Sequence, residues 1–284
     1  NLSTILDVLA YNTYITSYNA NMVANEVFID SATLRENVVA LARNIGYVPR
    51  SRKAARATIS FFVDTSNISP NPVSITLKKG PVATTSGSFG NQSFLFSILE
   101  DITVPVFDGI ATFDDIPIYE GSLLSTNFTF SARNPFQRFT LPNSGVDTGL
   151  LSVTVKANEE STQSVKYTLQ DNLFGVKSDS KIYYLQEIED ERYELLFGDN
   201  IFGQALEEGN FVTVNYITSS GDSGNGVSSF SFAGRLTYTR NSTEYNVTSG
   251  ISLVTTGLQS SGGESVESVA SIKKYAPRIY ASQN

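Results

Sequence analysis

The chain has 284 residues, a formal net charge of -8 and a sequence pI near 4.7, and it contains neither His nor Cys. Without Cys it has no disulfides and no thiolate metal sites, and without His it lacks the commonest general base and every His-based metal site. The acidic balance argues against a nucleic-acid-binding surface, because neutralising phosphates requires clustered Lys and Arg.

A first helix is predicted from Leu2 to Ile29, where the chain has neither Pro nor Gly and apolar residues recur at helical spacing. If Asn12 and Asn19 are buried in a helical bundle, their amides need hydrogen-bond partners on a neighbouring helix. Amide pairs of this kind fix the register of the helices. We therefore expect an intermolecular helical bundle here; the alternative is an amphipathic helix that packs on its own domain. The predicted interface residues are Ile5, Val8, Leu9, Asn12, Ile15, Asn19 and Met22.

A second helix is predicted after Asp30 or Ser31, either of which can cap its start. Thr33 with Glu36 three residues later has the form of a capping box. Gly46 ends the helix. Its apolar stripe consists of Leu34, Val38, Leu41, Ala42 and Ile45. The stripe is broad, so the helix needs an additional packing surface on the β-rich body or on another chain.

From Thr58 onward short alternating runs are separated by Gly, Asn, Asp and Pro, a pattern that indicates antiparallel sheets. The predicted strands are Thr58 to Val63, Val73 to Leu77, Ser93 to Ile98 and Thr126 to Phe130, with turns at 67–72 and 108–109. The segment 131–149 is rich in Pro, Asn and Gly and marks an internal boundary.

A second β unit begins at Leu151. Within it, Lys181 to Ile188 and Arg192 to Phe197 flank three acidic residues at 189–191, which predicts a hairpin with an acidic turn. A strand follows at Phe211 to Ile217, and then a glycine-rich turn at 219–226. That turn lacks the residue order and the distal Glu of an EF-hand calcium loop.

The last segment, 262–284, predicts a short helix. Ser265 or Glu264 can cap its start, and Pro277 is expected to end it. We expect its apolar face, formed by Val266, Val269 and Ile272, to be uncovered in this chain and covered by a region that follows it. Since the chain starts at Asn1 without Met and stops abruptly, we expect a fragment truncated at both ends.

Three of these stretches share a resemblance. The first is the N-terminal phrase from Leu9 to Ala55, with LAYNT, TLR and GYVP; the second is YELLFGD with the spaced glycines and VTVNY after it; the third is the closing GGESVESVASIKKYAPRIYASQN. They resemble the baseplate wedge proteins of contractile-tailed bacteriophages, in the T-even-like branch of the baseplate-J-like superfamily.

The resemblance implies a structural subunit that assembles the baseplate ring and takes part in the rearrangement that triggers sheath contraction. It implies a virion tail baseplate location after assembly in the host cytoplasm. The implied partners are a second copy of the chain and other wedge proteins, both through the N-terminal helices, and neighbouring wedges in the ring. We expect no nucleic-acid partner, and no membrane partner because the sequence has no apolar run of about 18 residues.

Two other functions remain as alternatives. A β-rich receptor-binding or adhesin module of a virion suits the Tyr and Phe content, although it leaves the N-terminal helices unexplained. A glycoside hydrolase needs two carboxylates about 5 to 10 Å apart across a cleft. Three acidic clusters could supply them: Asp114 with Asp115, Glu187 with the acidic residues at 189–191, and Glu207 with Glu208. All three clusters lie in predicted turns or strand ends, where acidic residues are common for solvation and turn geometry; Glu187 and Glu189 are the ones to test by mutation to Gln. We expect no catalytic residue, no cofactor, no metal ligand and no enzyme activity.

The expected fold class is α+β, predominantly β: an N-terminal helical segment, antiparallel β-rich domains and a short C-terminal helix. The predicted divisions are N-terminal helices at 1–49, a β-rich domain at 50–150, a baseplate-J-like β domain at 151–258, and a short helix at 259–284 that leads to a further C-terminal region. One basic group, formed by Arg50, Arg52, Lys53 and Arg56, is either a solvated linker or a contact for an acidic partner.

Overall fold

The structure is a computed structural model that describes residues 2–85, 92–134, 136–171 and 175–282. Three α-helices and a larger number of short strands confirm the expected α+β class, predominantly β. The helices are α1 (Leu2–Glu26), α2 (Arg35–Asn44) and α3 (Val269–Ser282). The strands are β1 (Arg56–Asp64), β2 (Ser74–Leu77), β3 (Gly80–Thr85), β4 (Leu95–Ile98), β5 (Ile102–Phe107), β6 (Ile110–Glu120), β7 (Ser122–Thr129), β8 (Phe139–Thr140), β9 (Ser152–Lys156), β10 (Ser164–Leu169), β11 (Ile182–Glu187), β12 (Tyr193–Phe197), β13 (Phe211–Thr218), β14 (Phe230–Phe232), β15 (Leu236–Arg240), β16 (Thr243–Val247) and β17 (Thr255–Ser261).

The chain divides into two compact units. Unit 1 contains the N-terminal 50 residues, the segment Glu187–Asp190 and the C-terminal segment that begins at Glu267. Unit 2 contains Ser51–Gln186 and Glu191–Val266, which include all seventeen strands apart from the last residue of β11.

Unit 2 is built from two sheets. The larger, ten-stranded sheet is organised around β6, which pairs with β1 along one side and with β4 and β5 on the other. The smaller sheet has the order β7-β13-β9-β10-β11-β12-β8, in which β10 and β11 run parallel. Both sheets contain strands from either side of residue 150, so the predicted division at that point stays a prediction.

Alternating apolar residues of the strands form one core for each sheet. The larger core includes Ile59, Phe61, Phe96 and Phe113, with the Phe61 and Phe113 rings stacked 4.7 Å apart. The smaller core includes Val153, Leu195 and Tyr216, all of which are buried. This period-2 burial confirms the β assignment of the middle of the chain.

Gly121 joins β6 of the larger sheet directly to β7 of the smaller one. Its φ of +120° is accessible to glycine, and a Cβ at this position would lie 2.2 Å from the carbonyl oxygen of Thr218. The crossing between the two sheets therefore depends on the absence of a side chain.

Unit 1 has a separate small core in which α2 packs on α3. Its fully buried members are Ala32, Val38, Ala42, Ile272 and Ala276, with Val39 nearly so. The prediction that the apolar face of the last helix is uncovered was therefore wrong. Ile272 is buried against α2, and Val269 is partly buried in the same cluster. The physical reason is that the two segments are distant in sequence but adjacent in the fold.

The start and end of α3 also differ from expectation. The helix begins at Val269, after Ser268, whose hydroxyl accepts the N–H of Ser271 at 3.2 Å, whereas Glu264 forms a β-bridge with Lys53. Pro277 lies inside the helix instead of ending it. A proline removes one helical hydrogen bond, and the burial of Ile272 and Ala276 on α2 offsets that loss.

The start of α2 was predicted incorrectly as well. Leu34 is the residue before the helix, and no side chain caps the helix start. Asp30 and Ser31 are therefore not its caps, and Thr33 and Glu36 do not form a capping box. Instead, the Thr33 N–H and hydroxyl bind the carboxylate of Glu26 at the end of α1. The C-terminus agrees with prediction, since Gly46 adopts a positive φ of +82° just after α2.

Candidate assembly interface

The most unusual feature of the chain is that α1 is a long helix without a packed face. None of its 25 residues, all of which the structure describes, is buried. Leu2, Val8 and Tyr11 expose 73%, 63% and 68% of their surface. Helices rich in Thr, Asn and Tyr have weak intrinsic stability, and most helical stability in proteins comes from packing. α1 therefore needs a surface that the described residues do not supply.

Residues on α1 form two parallel heptad seams, the first apolar and aromatic, the second mixed apolar and polar. We define the first seam as Val8, Tyr11, Ile15, Tyr18 and Met22, and the second seam as Leu2, Ile5, Leu9, Asn12, Thr16, Asn19 and Val23. Both alternate steps of three and four residues, the spacing of coiled-coil contact positions. From Leu9 onward each member of the second seam directly follows a member of the first, so the seams lie about 100° apart around the helix. Such a helix can pack against two neighbouring helices at once.

The seven residues predicted for the interface divide between these seams. Val8, Ile15 and Met22 lie on the first, and Ile5, Leu9, Asn12 and Asn19 lie on the second. Ile15 is half-buried and the other six are exposed. The fold leaves all seven available for contact, and their role in an interface stays a prediction.

Sequence reasoning missed the tyrosines of α1. Tyr11 and Tyr18 complete the first seam, and the Tyr14 and Tyr18 rings stack at a centroid distance of 6.5 Å. Large aromatic side chains dominate the energetics of many protein interfaces. Their heptad spacing from Val8 was the signal that would have identified them.

The Asn12 and Asn19 amides have no hydrogen-bond partner within the part of the chain that the structure describes, although the backbone carbonyl of Asn12 accepts the Thr16 hydroxyl at 2.8 Å. An exposed amide is solvated by water, whereas a buried one needs a partner. In a bundle these two positions on the second seam would require complementary polar groups and so select the partner and its register.

A carboxylate fixes the bend between α1 and α2. Glu26 accepts the Thr33 hydroxyl at 2.6 Å, the Asn37 amide at 2.8 Å and the Thr33 N–H at 2.8 Å. These hydrogen bonds, with that from the Thr33 side chain the largest contribution, lower the Glu26 pKa from 4.5 to about 2. The direction in which α1 leaves α2 is therefore set by specific contacts.

Glu187, one of the acidic residues considered for glycoside hydrolysis, is paired with a cation in unit 1, and a second carboxylate of this unit, Glu267, accepts several hydrogen bonds. Both oxygens of the Glu187 carboxylate pair with Arg35, and the Glu187 side chain is 4% exposed. Glu267 accepts the Tyr47 hydroxyl at 2.6 Å, the Arg50 N–H at 3.0 Å and the Ser271 hydroxyl at 2.6 Å. Burial alone would raise the Glu267 pKa, but these hydrogen bonds lower it overall; burial and the Glu267 carboxylate together raise the Tyr47 pKa to about 12.

The other two acidic clusters belong to unit 2. Asp114 and Asp115 are exposed on β6, and the Glu208 carboxylate accepts the Ala132 N–H and the Ser131 hydroxyl. In the described ranges no group of three or more His, Cys, Asp or Glu residues is arranged to hold a metal ion. None of the helices described is long and apolar enough to cross a membrane.

Three residues of the basic group interact with acids. Arg50 donates its backbone N–H to Glu267, Arg52 lies 3.5 Å from Glu191, and Lys53 lies 3.4 Å from Glu264. Arg56, on β1, is exposed, and its side chain makes no hydrogen bond or ion pair with another described residue.

Comparison with known proteins relates this chain to a phage baseplate protein. No family model matches the chain. Over 251 residues the chain is 24% identical to "Baseplate wedge protein gp6" of Enterobacteria phage T4, and the match covers 83% of this chain. The chain spans 36% of that relative's length. It is thus a distant, partial homologue of a phage baseplate protein, and the expected relation to such proteins is confirmed at that level.

Proposed function

We propose that this chain is part of a structural subunit of a phage tail baseplate wedge, in the T-even-like branch of the baseplate-J-like superfamily, and that α1 joins it to its partners. The observation that carries the proposal is the unburied α1 with its two seams. The distant relation to a baseplate wedge protein supports the same role.

The partners of α1 are a second copy of this chain and another wedge protein. Two seams about 100° apart provide a surface for two helices, which one partner helix would not fill. Burying an apolar side chain of this size contributes roughly 1.5 to 3 kcal/mol, so a seam with several such residues supports a stable interface. Other surfaces of the wedge contact neighbouring wedges in the ring.

In this proposal the chain has a mechanical role and no catalytic one. The subunit belongs to the tail baseplate of the virion, assembles in the host cytoplasm, and takes part in the rearrangement that triggers sheath contraction. The pairing of Glu187 with Arg35 supports a structural role for the acidic turn. The proposal includes no cofactor, nucleic acid or membrane.

The decisive test is assembly of variants with a charge on each seam. Ile15→Asp changes the first seam, Leu9→Asp changes the second, and Ser17→Asp places the same charge on α1 outside both seams. The full chain is co-expressed with the other wedge proteins of its phage, and complexes are sized by analytical ultracentrifugation. We expect both seam variants to lose a partner while circular dichroism of the β sheets is unchanged and Ser17→Asp assembles normally.

Each seam is expected to lose a different partner, because each seam faces a different helix. Complexes of unchanged mass and composition in both seam variants would refute the bundle. Equal loss of assembly in Ser17→Asp would show that charge on α1, and not contact at the seams, controls association.

A further inference from the structure

A second candidate site lies in unit 2 and uses none of the residues that carry the proposed function. A cavity of about 590 Å³ opens beside β1. Such a volume is typical of sites that bind a small molecule or a few side chains. Its lining includes Lys53, Arg56, Thr58, Tyr119, Leu150 and Leu258.

Irregular pairing of β1 with β17 shapes this cavity. Arg56 lies opposite Ser261, Thr58 opposite Leu258, and Ile59 opposite Thr256, so the ladder contains two register shifts within four residues of β1. Bulges of this kind re-aim side chains and are common beside binding sites. On the other side of β1, Arg56 lies opposite Tyr119, which places the guanidinium and the phenol on one face.

Arg56 is the unpaired cation of this surface. Lys53 lies 3.4 Å from Glu264, whereas the Arg56 guanidinium has no contact with an acid among the described residues. The nearby Asp147 carboxylate, which also lines the cavity, accepts the N–H groups of Ala54 at 2.8 Å and Gly149 at 2.9 Å. Backbone N–H groups thus provide the hydrogen-bond partners of the Asp147 carboxylate. The Arg56 guanidinium is therefore available to pair with an anion from outside the chain.

We propose that this cavity binds an acidic segment of a partner polypeptide. A carboxylate of the segment pairs with Arg56, and a neighbouring apolar side chain packs on Leu150 and Leu258. Leu258 is 67% exposed, which leaves it available for that contact. The mixed lining favours a peptide over a free inorganic anion, and the chain's net charge of -8 favours a different protein over a second copy.

The test uses nuclear magnetic resonance of the full chain titrated with acetyl-Ala-Leu-Asp-Glu-Leu-Ala-amide. Matched probes are the same peptide with Asn and Gln in place of the acids, and sodium sulfate. We expect the acidic peptide to shift the signals of Arg56, Thr58 and Leu258. We expect Arg56→Gln to weaken binding about tenfold or more, because it removes a charge-assisted pair.

Control variants separate this site from general electrostatic attraction. Leu258→Ser should also weaken the binding of the peptide, whereas Arg240→Gln and Leu253→Ser, at exposed positions outside the cavity, should leave it unchanged. Equal binding of the Asn and Gln peptide, or unchanged affinity in Arg56→Gln, would overturn the proposal. If sodium sulfate shifts the same resonance signals equally, the site binds anions in general and the proposal of a peptide site is wrong. If raising the protein concentration alone shifts these signals, the occupant is a second copy of the chain and the proposal of a different partner is wrong.

Discussion

Arg35 and Glu187 are 152 positions apart in the chain and form a two-pronged ion pair, with Nε–Oε1 at 2.6 Å and Nη2–Oε2 at 3.1 Å. Arg35 also donates to the backbone carbonyl of Glu267, just before α3. One guanidinium at the start of α2 thus joins the acidic turn after β11 to the C-terminal segment. Unit 1 depends on contacts between segments that are far apart in sequence.

Replacing Arg35 with Ala is therefore expected to destabilise unit 1 by about 3 kcal/mol. The change leaves the nearly buried Glu187 carboxylate without its partner, and an unpaired charge at such a site costs several kcal/mol. Native-state hydrogen exchange of the α2 and α3 amides measures the effect.

The control for this prediction is Lys166→Ala. Lys166 lies 3.8 Å from Glu100, and both side chains are largely exposed, so the loss should stay below about 1 kcal/mol. The double variant Arg35→Met, Glu187→Leu should recover much of the stability, because it removes both charges. Equal effects of Arg35→Ala and Lys166→Ala would refute the structural importance of the pair.

Ile272→Ala is expected to destabilise the α2–α3 packing by about 2 to 4 kcal/mol. Ile272 is fully buried between the two helices, and truncation leaves a cavity as well as lost apolar burial. Exchange rates of the α2 amides should rise accordingly. Val48→Ala, at a position 60% exposed, should change them little, and unaltered rates in Ile272→Ala would show that α3 does not stabilise α2.

Gly121→Ala is expected to destabilise unit 2 by about 2 to 4 kcal/mol, since the new methyl group overlaps a backbone carbonyl and φ is positive. Gly209→Ala is the matched control. Its φ of +85° is also positive, but a Cβ there meets nothing within 4 Å, so we expect a loss of about 1 to 2 kcal/mol. Urea denaturation measures both, and equal losses would show that the steric overlap is relieved without cost.

Local patterns predicted some of the strands of this fold. The run predicted as a strand from Phe211 to Ile217 is β13, and the acidic turn at 189–191 lies between the neighbouring strands β11 and β12. Strand partners could not be predicted, because pairing is non-local: β1 pairs with β17, and Arg56 lies opposite Ser261. The same limit explains the errors at α3, where the distant helix α2 covers Ile272 and supports the helix through Pro277.

The candidate interface was predictable in part. Heptad spacing predicted Val8, Ile15 and Met22 as contact positions, because that signal is local, and their role in an interface stays a prediction. The exposure of the whole of α1 was not predictable, since it depends on which surfaces the rest of the chain provides. The structural role of Glu187 was missed for a similar reason: an acidic residue at a turn is ordinarily solvated, and its partner Arg35 lies in another part of the sequence.

Acidification is expected to loosen the bend between α1 and α2. The folded pKa of Glu26, about 2, lies below its ordinary value of 4.5, so the stabilisation is present above pH 4.5 and is lost as the pH falls toward 2. Carboxyl carbon resonances followed from pH 6 to pH 1.5 should show Glu26 titrating near pH 2. Thr33→Ala removes the hydroxyl bond and should move the pKa back toward 4.5, whereas Thr16→Ala, which removes a hydroxyl elsewhere on α1, should not. A wild-type Glu26 that titrates near 4.5 would mean that α1 is free to swing on α2, and a bundle built on α1 would then bear the full entropic cost of ordering it.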